Sequence, residues 1–243
     1  MGTSQTYHRV FRQIRQLHPD KRITRLRTLT WLMVGMLWAR SVHLSRMANH
    51  IVGQAQRSSK TQRLRRWLKN RAVRVRCWYE PVARSLLSAA AKQGRIRLIA
   101  DGTKVGGCHR LLMVAVAYRR RALPIAWTWV RDQRGLSSSR KQCALLAYIQ
   151  QLMPSSTRVV FIGDSEFCGT AVKQIMQEWN WYYVVRHKGD HLVRLPEETS
   201  WRRFDSLIDR AGQRLWKASV RLTKKHAYPC HILVYWRRGE SQP

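Results

Sequence analysis

The sequence predicts an α/β chain in three stretches: a helical front over residues 1–94, a mixed sheet over 95–190, and the start of a β-rich segment over 191–243. Three observations carry that expectation. Apolar residues recur at helical spacing before residue 94; strand-like hydrophobic runs alternating with helical patterns follow; and beyond Asp190 the helical patterns stop. With 243 residues, 44% of them hydrophobic, the chain can form one large domain or two smaller ones around a buried core.

In the front stretch, Leu29 to Ala39 is an apolar run read as a core helix; bounded by Arg27 and Arg40, it is far too short to span a membrane. Residues 41–52 read as a short helix. Gly53 and Ser58-Ser59 separate it from a longer one, Lys60 to about Trp78. On that second helix Leu64, Trp67, Leu68, Ala72 and Val75 share one face, leaving Arg63, Arg65, Arg66 and Lys69 on the rest. Such a helix is either an amphipathic element with solvated charges or part of a helix-turn-helix reader that offers guanidinium groups to phosphates.

In the middle stretch, Arg95 to Asp101 is the first strand. Leu111–Tyr118 and Leu123–Val130 are two more, separated by Arg119-Arg120-Arg121 and expected to pair antiparallel. Ser138 or Ser139 caps a helix to about Leu152, stopped by Pro154. Arg158 to Asp164 is continuously apolar, which predicts a strand buried on both faces. A helix from about Thr170 to Trp179 and a fifth strand, Trp181 to His187, complete the series. Three strands, helix, strand, helix, strand is the ribonuclease-H-like layout, in which the fourth strand runs parallel to the first and their C-terminal ends meet at one edge. In the last stretch Trp216–Leu222 and Tyr228–Trp236 read as a hairpin-like pair with Pro229 near its turn, and Ser241–Pro243 ends the chain without another helix.

Charge narrows the function. There are 46 Lys and Arg against 13 Asp and Glu, a formal net charge of +33, and before Gly94 the acids are Asp20 and Glu80 alone. Positive charge spread through structured regions calls for a polyanionic partner with a long footprint. The start, MGTSQTYHRVFRQIRQ, lacks an apolar signal region, so a cytoplasmic, nucleoid-associated location is expected, with no membrane partner.

Several chemistries lose support. Five cysteines without a CxxC pair argue for reduced thiols, and zinc on His226, Cys230 and His231 is disfavoured because adjacent ligands rarely close a tetrahedral site. Gly102 to Gly107 lacks the order of a phosphate loop, and Ser137-Ser138-Ser139 sits in no nucleophile elbow. The eleven tryptophans are assigned mostly to the core, although an exposed one could stack on an unpaired base.

What remains is a pair of acids. Asp101 ends the first strand in LIADG and Asp164 ends the fourth in VFIGDSE, each carboxylate following a buried apolar run. Either they are turn residues, since Asp before Gly or Ser often opens a turn, or together they hold a divalent ion by oxygen ligands.

The stretches LIADGTKV, VFIGDSEFCG and WYYVVRHKGD resemble the first-Asp region, the second-Asp region and the Arg-bearing fifth strand of DDE transposases of the bacterial insertion-sequence IS-four family. VHLSRMANHI and RLRRWLKN are similar to that family's DNA-binding front, so the resemblance covers nearly the whole chain. It implies a DNA transposase performing phosphodiester cleavage and strand transfer at insertion-sequence ends with Mg2+ or Mn2+. Asp101 and Asp164 would be the first two catalytic, metal-binding acids. Arg63, Arg65, Arg66, Lys69, Arg186 and Lys188 would meet DNA, both element ends and target, with a homodimer as one assembly open to it. The family's third acid is a Glu on a helix after the β-rich insertion, and no matching segment precedes Pro243, which implies a C-terminally truncated chain. Glu166, in an extended continuation of the fourth strand, is expected to be displaced from the metal. The alternatives are a catalytically incomplete DNA-binding fragment and a basic RNA-binding protein.

Overall fold

The structure, a computed structural model, describes residues 2–131 and 137–240 and divides into two compact units, Met1–Ser85 and Leu86–Pro243. The last three residues, 241–243, lie outside the described residues, and with them the expected ending of the chain.

The first unit is helical: α1 (Thr3–Leu17), α2 (Ile23–Ala39), α3 (Leu44–Ala48), α4 (Arg57–Leu68) and the opening turns of α5 (Val75–Ala91). One core cluster joins Leu32, Met47, Ile51 and Leu64; another joins Ile14, Leu26 and Trp78. Gly35 lets α2 and α3 touch, because a Cβ there would stand 3.0 Å from the Met47 carbonyl oxygen and 3.1 Å from its Cβ.

Two helix expectations are corrected. The 29–39 run is helical but is core on one face alone: Leu32, Val34 and Gly35 are buried, whereas Met33, Met36, Leu37 and Trp38 are exposed. The helix expected over 60–78 is two helices. Asn70 breaks it by accepting the Ala72 N–H on Oδ1 at 2.9 Å and the Val73 N–H on its carbonyl at 2.8 Å, a local turn that competes with the helical ladder. Leu64 is consequently buried and Trp67 half-buried, while Leu68, Ala72 and Val75 face solvent.

In the second unit, β1 (Ile96–Val105), β2 (His109–Tyr118) and β3 (Arg121–Arg131) form an antiparallel meander, followed by α6 (Ser139–Gln150), β4 (Val159–Gly163), α7 (Thr170–Glu178) and β5 (Tyr182–Val185). The sheet order is β3-β2-β1-β4-β5, with β4 parallel to both β1 and β5. That is the mixed, ribonuclease-H-like order expected from the sequence. Leu98, Ala100 and Phe161 fill one face of the sheet. The other face is open beside β4 and β5, where Ile162 is 36% and Val184 64% exposed, so the fourth strand is not buried on both sides. Its unbroken apolarity did not reveal that one face lacks a cover.

A second sheet, β7-β6-β8-β9, is built from β6 (Leu192–Arg194), β7 (Arg202–Arg203), β8 (Arg214–Leu222) and β9 (Tyr228–Tyr235). β8 and β9 form the expected hairpin, with Pro229 near its turn as the second residue of β9, opposite Arg221. Tyr228 ties this sheet to the first: its hydroxyl donates to Gln177 Oε1 at 3.0 Å and accepts from Tyr183 at 3.2 Å. Tryptophan is less of a core residue than expected. Trp78 and Trp181 are buried, but Trp38, Trp129 and Trp216 are among the exposed large side chains, the last two on strands. No helix among the described residues is long and apolar enough to cross a membrane.

The β2–β3 turn gives a direct test of local strain. Tyr118 pairs with Arg121, so the loop is Arg119-Arg120, and both residues sit at positive φ, 46° and 63°. Side chains with a Cβ are disfavoured there, by roughly 1 kcal/mol or more per residue, and Asn-Gly is preferred. Replacing Arg119 by Asn together with Arg120 by Gly is expected to stabilise the second unit by about 1 kcal/mol, read as a higher midpoint in urea.

Candidate active site

Strand register places the site. Ala100 on β1 pairs with Gly163 on β4, and Gly163 pairs with Val185 on β5. The next residue on each strand is therefore Asp101, Asp164 and Arg186, a row of two acids and a base across three parallel neighbours about 4.8 Å apart. All three are exposed. The Arg186 N–H donates to the Gly163 carbonyl at 3.1 Å, which continues the β4–β5 ladder up to the row.

Each acid is held by backbone. Asp101 Oδ1 accepts the Gly102 N–H at 2.7 Å, and Asp164 Oδ1 accepts the Glu166 N–H at 3.0 Å, capping a 3-10 turn over Ser165–Phe167. Neither acid enters an ion pair among the described residues. Two exposed acids at neighbouring strand ends, neither in an ion pair among the described residues, are the ligand type that a divalent ion takes, since it keeps several waters and needs one or two carboxylates.

The 3-10 turn corrects the reason expected for Glu166 but not the outcome: it stays out of the acid pair. The chain curls after Asp164 instead of extending, and the Glu166 side chain is 2% exposed beneath the row. Oε2 meets Arg110 Nη2 at 2.9 Å; Oε1 accepts from the Ser137 N–H at 2.9 Å and the Ser137 hydroxyl at 2.6 Å. Gln142, also buried, donates to the Ser137 hydroxyl and to the Glu166 carbonyl, both at 2.9 Å. Gly102 leaves room for this pair, because a Cβ there would run into the Glu166 carboxylate and stand 2.7 Å from Arg110 Nε. Glu166 thus braces β1, β2 and the start of α6 around the acids. Sequence reasoning missed it because the partners come from positions 29 and 56 residues upstream; the one local signal was Gly102 directly after Asp101.

Lys188 lies in the turn after β5, exposed, two residues beyond Arg186. Next to it His187 is enclosed. Burial pushes its pKa down to about 3, helped by Lys173 and His191. Burial also lowers the Lys173 amine and raises the Cys168 thiol. For His187 and Lys173 the folded state holds its proton less tightly than the unfolded chain, so stability rises with pH. The His187 contribution is fully present above its unfolded pKa near 6.5 and is lost as pH falls towards 3. Between pH 6.5 and 4.5 that amounts to at most about 3 kcal/mol. The decline is expected in urea midpoints and is expected to shrink in His187→Gln.

The other predicted contacts lie in the first unit. Arg63, Arg65 and Arg66 project from α4 and Lys69 caps its end, all exposed. Arg63 donates to Thr28 Oγ1 at 3.2 Å and Arg65 to Gln62 Oε1 at 2.9 Å, leaving most of their donors to solvent. A groove lined by Ser45, Arg57, Ser59, Gln62, Arg63 and Arg66 runs between α3 and α4, with no acid along it.

No family profile matches the chain, and no curated protein matches it. Among solved structures, the catalytic domain of Mos1 mariner transposase aligns over 43% of this chain and 56% of its own length, with 15% identity and a TM-score of 0.28.

Proposed function

We propose that this chain is a DNA transposase of the IS-four type, binding element ends through its helical front and cleaving phosphodiester bonds at the Asp101–Asp164 row. The carrying observation is the register: Ala100 opposite Gly163 sets two acids side by side at matching ends of parallel strands, with Arg186 next in line. In a chain of net charge +33, a partner that is itself a polyanion supplies the phosphates.

Asp101 and Asp164 would hold Mg2+ or Mn2+. Bound there, the ion supplies Lewis-acid activation of a scissile phosphate and charge stabilisation of the oxygens being exchanged. The chain's own residues do the rest. Arg186 and Lys188 draw the DNA backbone towards the acids, and Glu166 keeps the Asp101 and Asp164 loops in place from below. Arg63, Arg65, Arg66 and Lys69 contribute phosphate contacts that position the duplex.

A second reading, DNA binding without cleavage, is favoured by one specific observation: among the described residues no third carboxylate joins the pair, and Glu166 is spent on Arg110 and Ser137. The deciding experiment incubates the chain with duplex DNA and Mg2+ and scores nicking separately from binding. Nicking supports the transposase reading, and tight binding with intact strands supports the second. Equal affinity for structured RNA at matched salt, without nicking, would instead point to a general RNA-binding protein. If α4 meets phosphates, replacing Arg63, Arg65, Arg66 and Lys69 by Gln lowers the slope of log K against log salt by roughly 3 to 4.

A further inference from the structure

The cluster behind the acid row has a chemistry the acids do not share. Cys168 follows the 3-10 turn, His187 follows β5, and His191 stands four residues further on, before β6. One ligand atom from each lies within 4.8 Å of the other two, and all three residues are half-buried. Among the described residues this is the group of three or more such side chains that converges closely enough to hold an ion.

The two imidazoles meet at an interplanar angle of 76°, His187 Nδ1 lying 2.9 Å from His191 Nδ1. Two ring nitrogens at hydrogen-bond distance point at the space between them. Tetrahedral coordination at bonds of about 2.0 to 2.1 Å sets two nitrogens about 3.4 Å apart, so an ion can enter with a small opening of the pair. The far edge of the His187 ring is already fixed. Lys173 Nζ lies 3.4 Å from Nε2, and the Phe204 ring stacks on the imidazole at 5.6 Å. Contacts of this kind set which nitrogen a histidine presents.

We propose that Cys168 Sγ, His187 Nδ1 and His191 Nδ1 form a three-ligand site for a borderline-soft transition ion, zinc in the first instance, with the fourth position left to water. Thiolate with imidazole is the donor set that selects Zn2+ over the hard cations a pair of carboxylates takes. Lys173 is 1% exposed and opposes a cation, but it does so across the width of the imidazole, whereas the Cys168 thiolate meets the ion at bonding distance. The site ties the segment four residues past Asp164 to the turn that carries Lys188 and follows Arg186, so the ion is a brace for the loops around the acid row. The proposal does not depend on the transposase reading: the site would stand in a chain that never cuts DNA.

The test uses the full chain, stripped with chelator and titrated with Co2+. One equivalent is expected to give tetrahedral ligand-field bands and a thiolate-to-cobalt charge-transfer band, both removed by added Zn2+. Cys168→Ser is expected to lose the charge-transfer band, and His191→Gln to weaken binding at least tenfold. The exposed Cys77→Ser and Cys108→Ser, and the double change Asp101→Asn with Asp164→Asn, are expected to keep the band. Wild-type chain gives a second measurement free of folding effects, since Zn2+ is expected to protect Cys168 from alkylation at least tenfold, read by peptide mass. A folded chain without the charge-transfer band, or Cys168 alkylated at equal rates with and without Zn2+, overturns the proposal.

Discussion

If the acid row cuts DNA as proposed, Asp164→Asn is expected to lower Mg2+-dependent strand cleavage by on the order of 10³-fold, with duplex affinity kept within about threefold. The asymmetry between two substitutions makes the result interpretable. Asp164 Oδ1 caps the 3-10 turn by accepting the Glu166 N–H at 3.0 Å, and an asparagine carbonyl can accept the same bond. Asn therefore removes the charge and leaves the turn, whereas Ala removes both and adds the cost of a lost cap, about 1 kcal/mol. A divalent ion contributes several kcal/mol of charge stabilisation to phosphoryl chemistry, and each 1.36 kcal/mol is a factor of ten in rate, which gives the thousandfold figure. Cleavage and binding are measured on one duplex with gel-resolved products and fluorescence anisotropy. Cleavage by Asp164→Asn at the wild-type rate would sink the assignment of the row; a parallel loss of binding would show that the residue acts through the fold.

Glu166→Ala is expected to destabilise the second unit by about 3 kcal/mol, the usual scale for removing one partner of a buried ion pair. An ion pair and two hydrogen bonds go at once: Arg110 loses its carboxylate, and the Ser137 N–H and hydroxyl lose their acceptor. Glu166→Gln separates the contributions, since its amide oxygen can still accept from Ser137 while the charge facing Arg110 is gone. An intermediate loss of about 1 to 2 kcal/mol is expected for it, charged hydrogen bonds being worth more than neutral ones. Urea midpoints with unchanged slope would read both. A Glu166→Ala chain as stable as wild type would mean that Arg110 and Ser137 find other partners at no cost.

The strands were legible because their signals are local. Each of the five in the first sheet has its own apolar run, and the turn arginines between Tyr118 and Arg121 mark a two-residue hairpin. Asp101 and Asp164 were legible for the same reason, as acids directly after such runs. The helices of the first unit were less so. Periodicity carried a continuous helix through 60–78, and a single asparagine side chain turned towards its own backbone outweighed it. Non-local groups were invisible. Glu166 takes its partners from β2 and the start of α6, and Cys168 meets His187 and His191 only because β5 lies against β4. The histidines and cysteine weighed for zinc in the sequence, His226, Cys230 and His231, do not converge: His231 Nδ1 instead accepts the Ser219 N–H at 3.1 Å.

The open side of β4 and β5 sets a condition on handling. Ile162, Tyr182 and Val184 present an exposed aliphatic and aromatic strip along β4 and the edge strand β5, whose outer backbone groups no other strand among the described residues takes up. Such an edge is a template for a neighbouring copy. Mutual repulsion from a net charge of +33 opposes such pairing, and added salt screens that repulsion within about 10 Å at 0.1 M. Raising salt to strip nucleic acid from this chain therefore also removes the barrier to its self-association, so light scattering is expected to rise over the same salt range in which bound DNA is released.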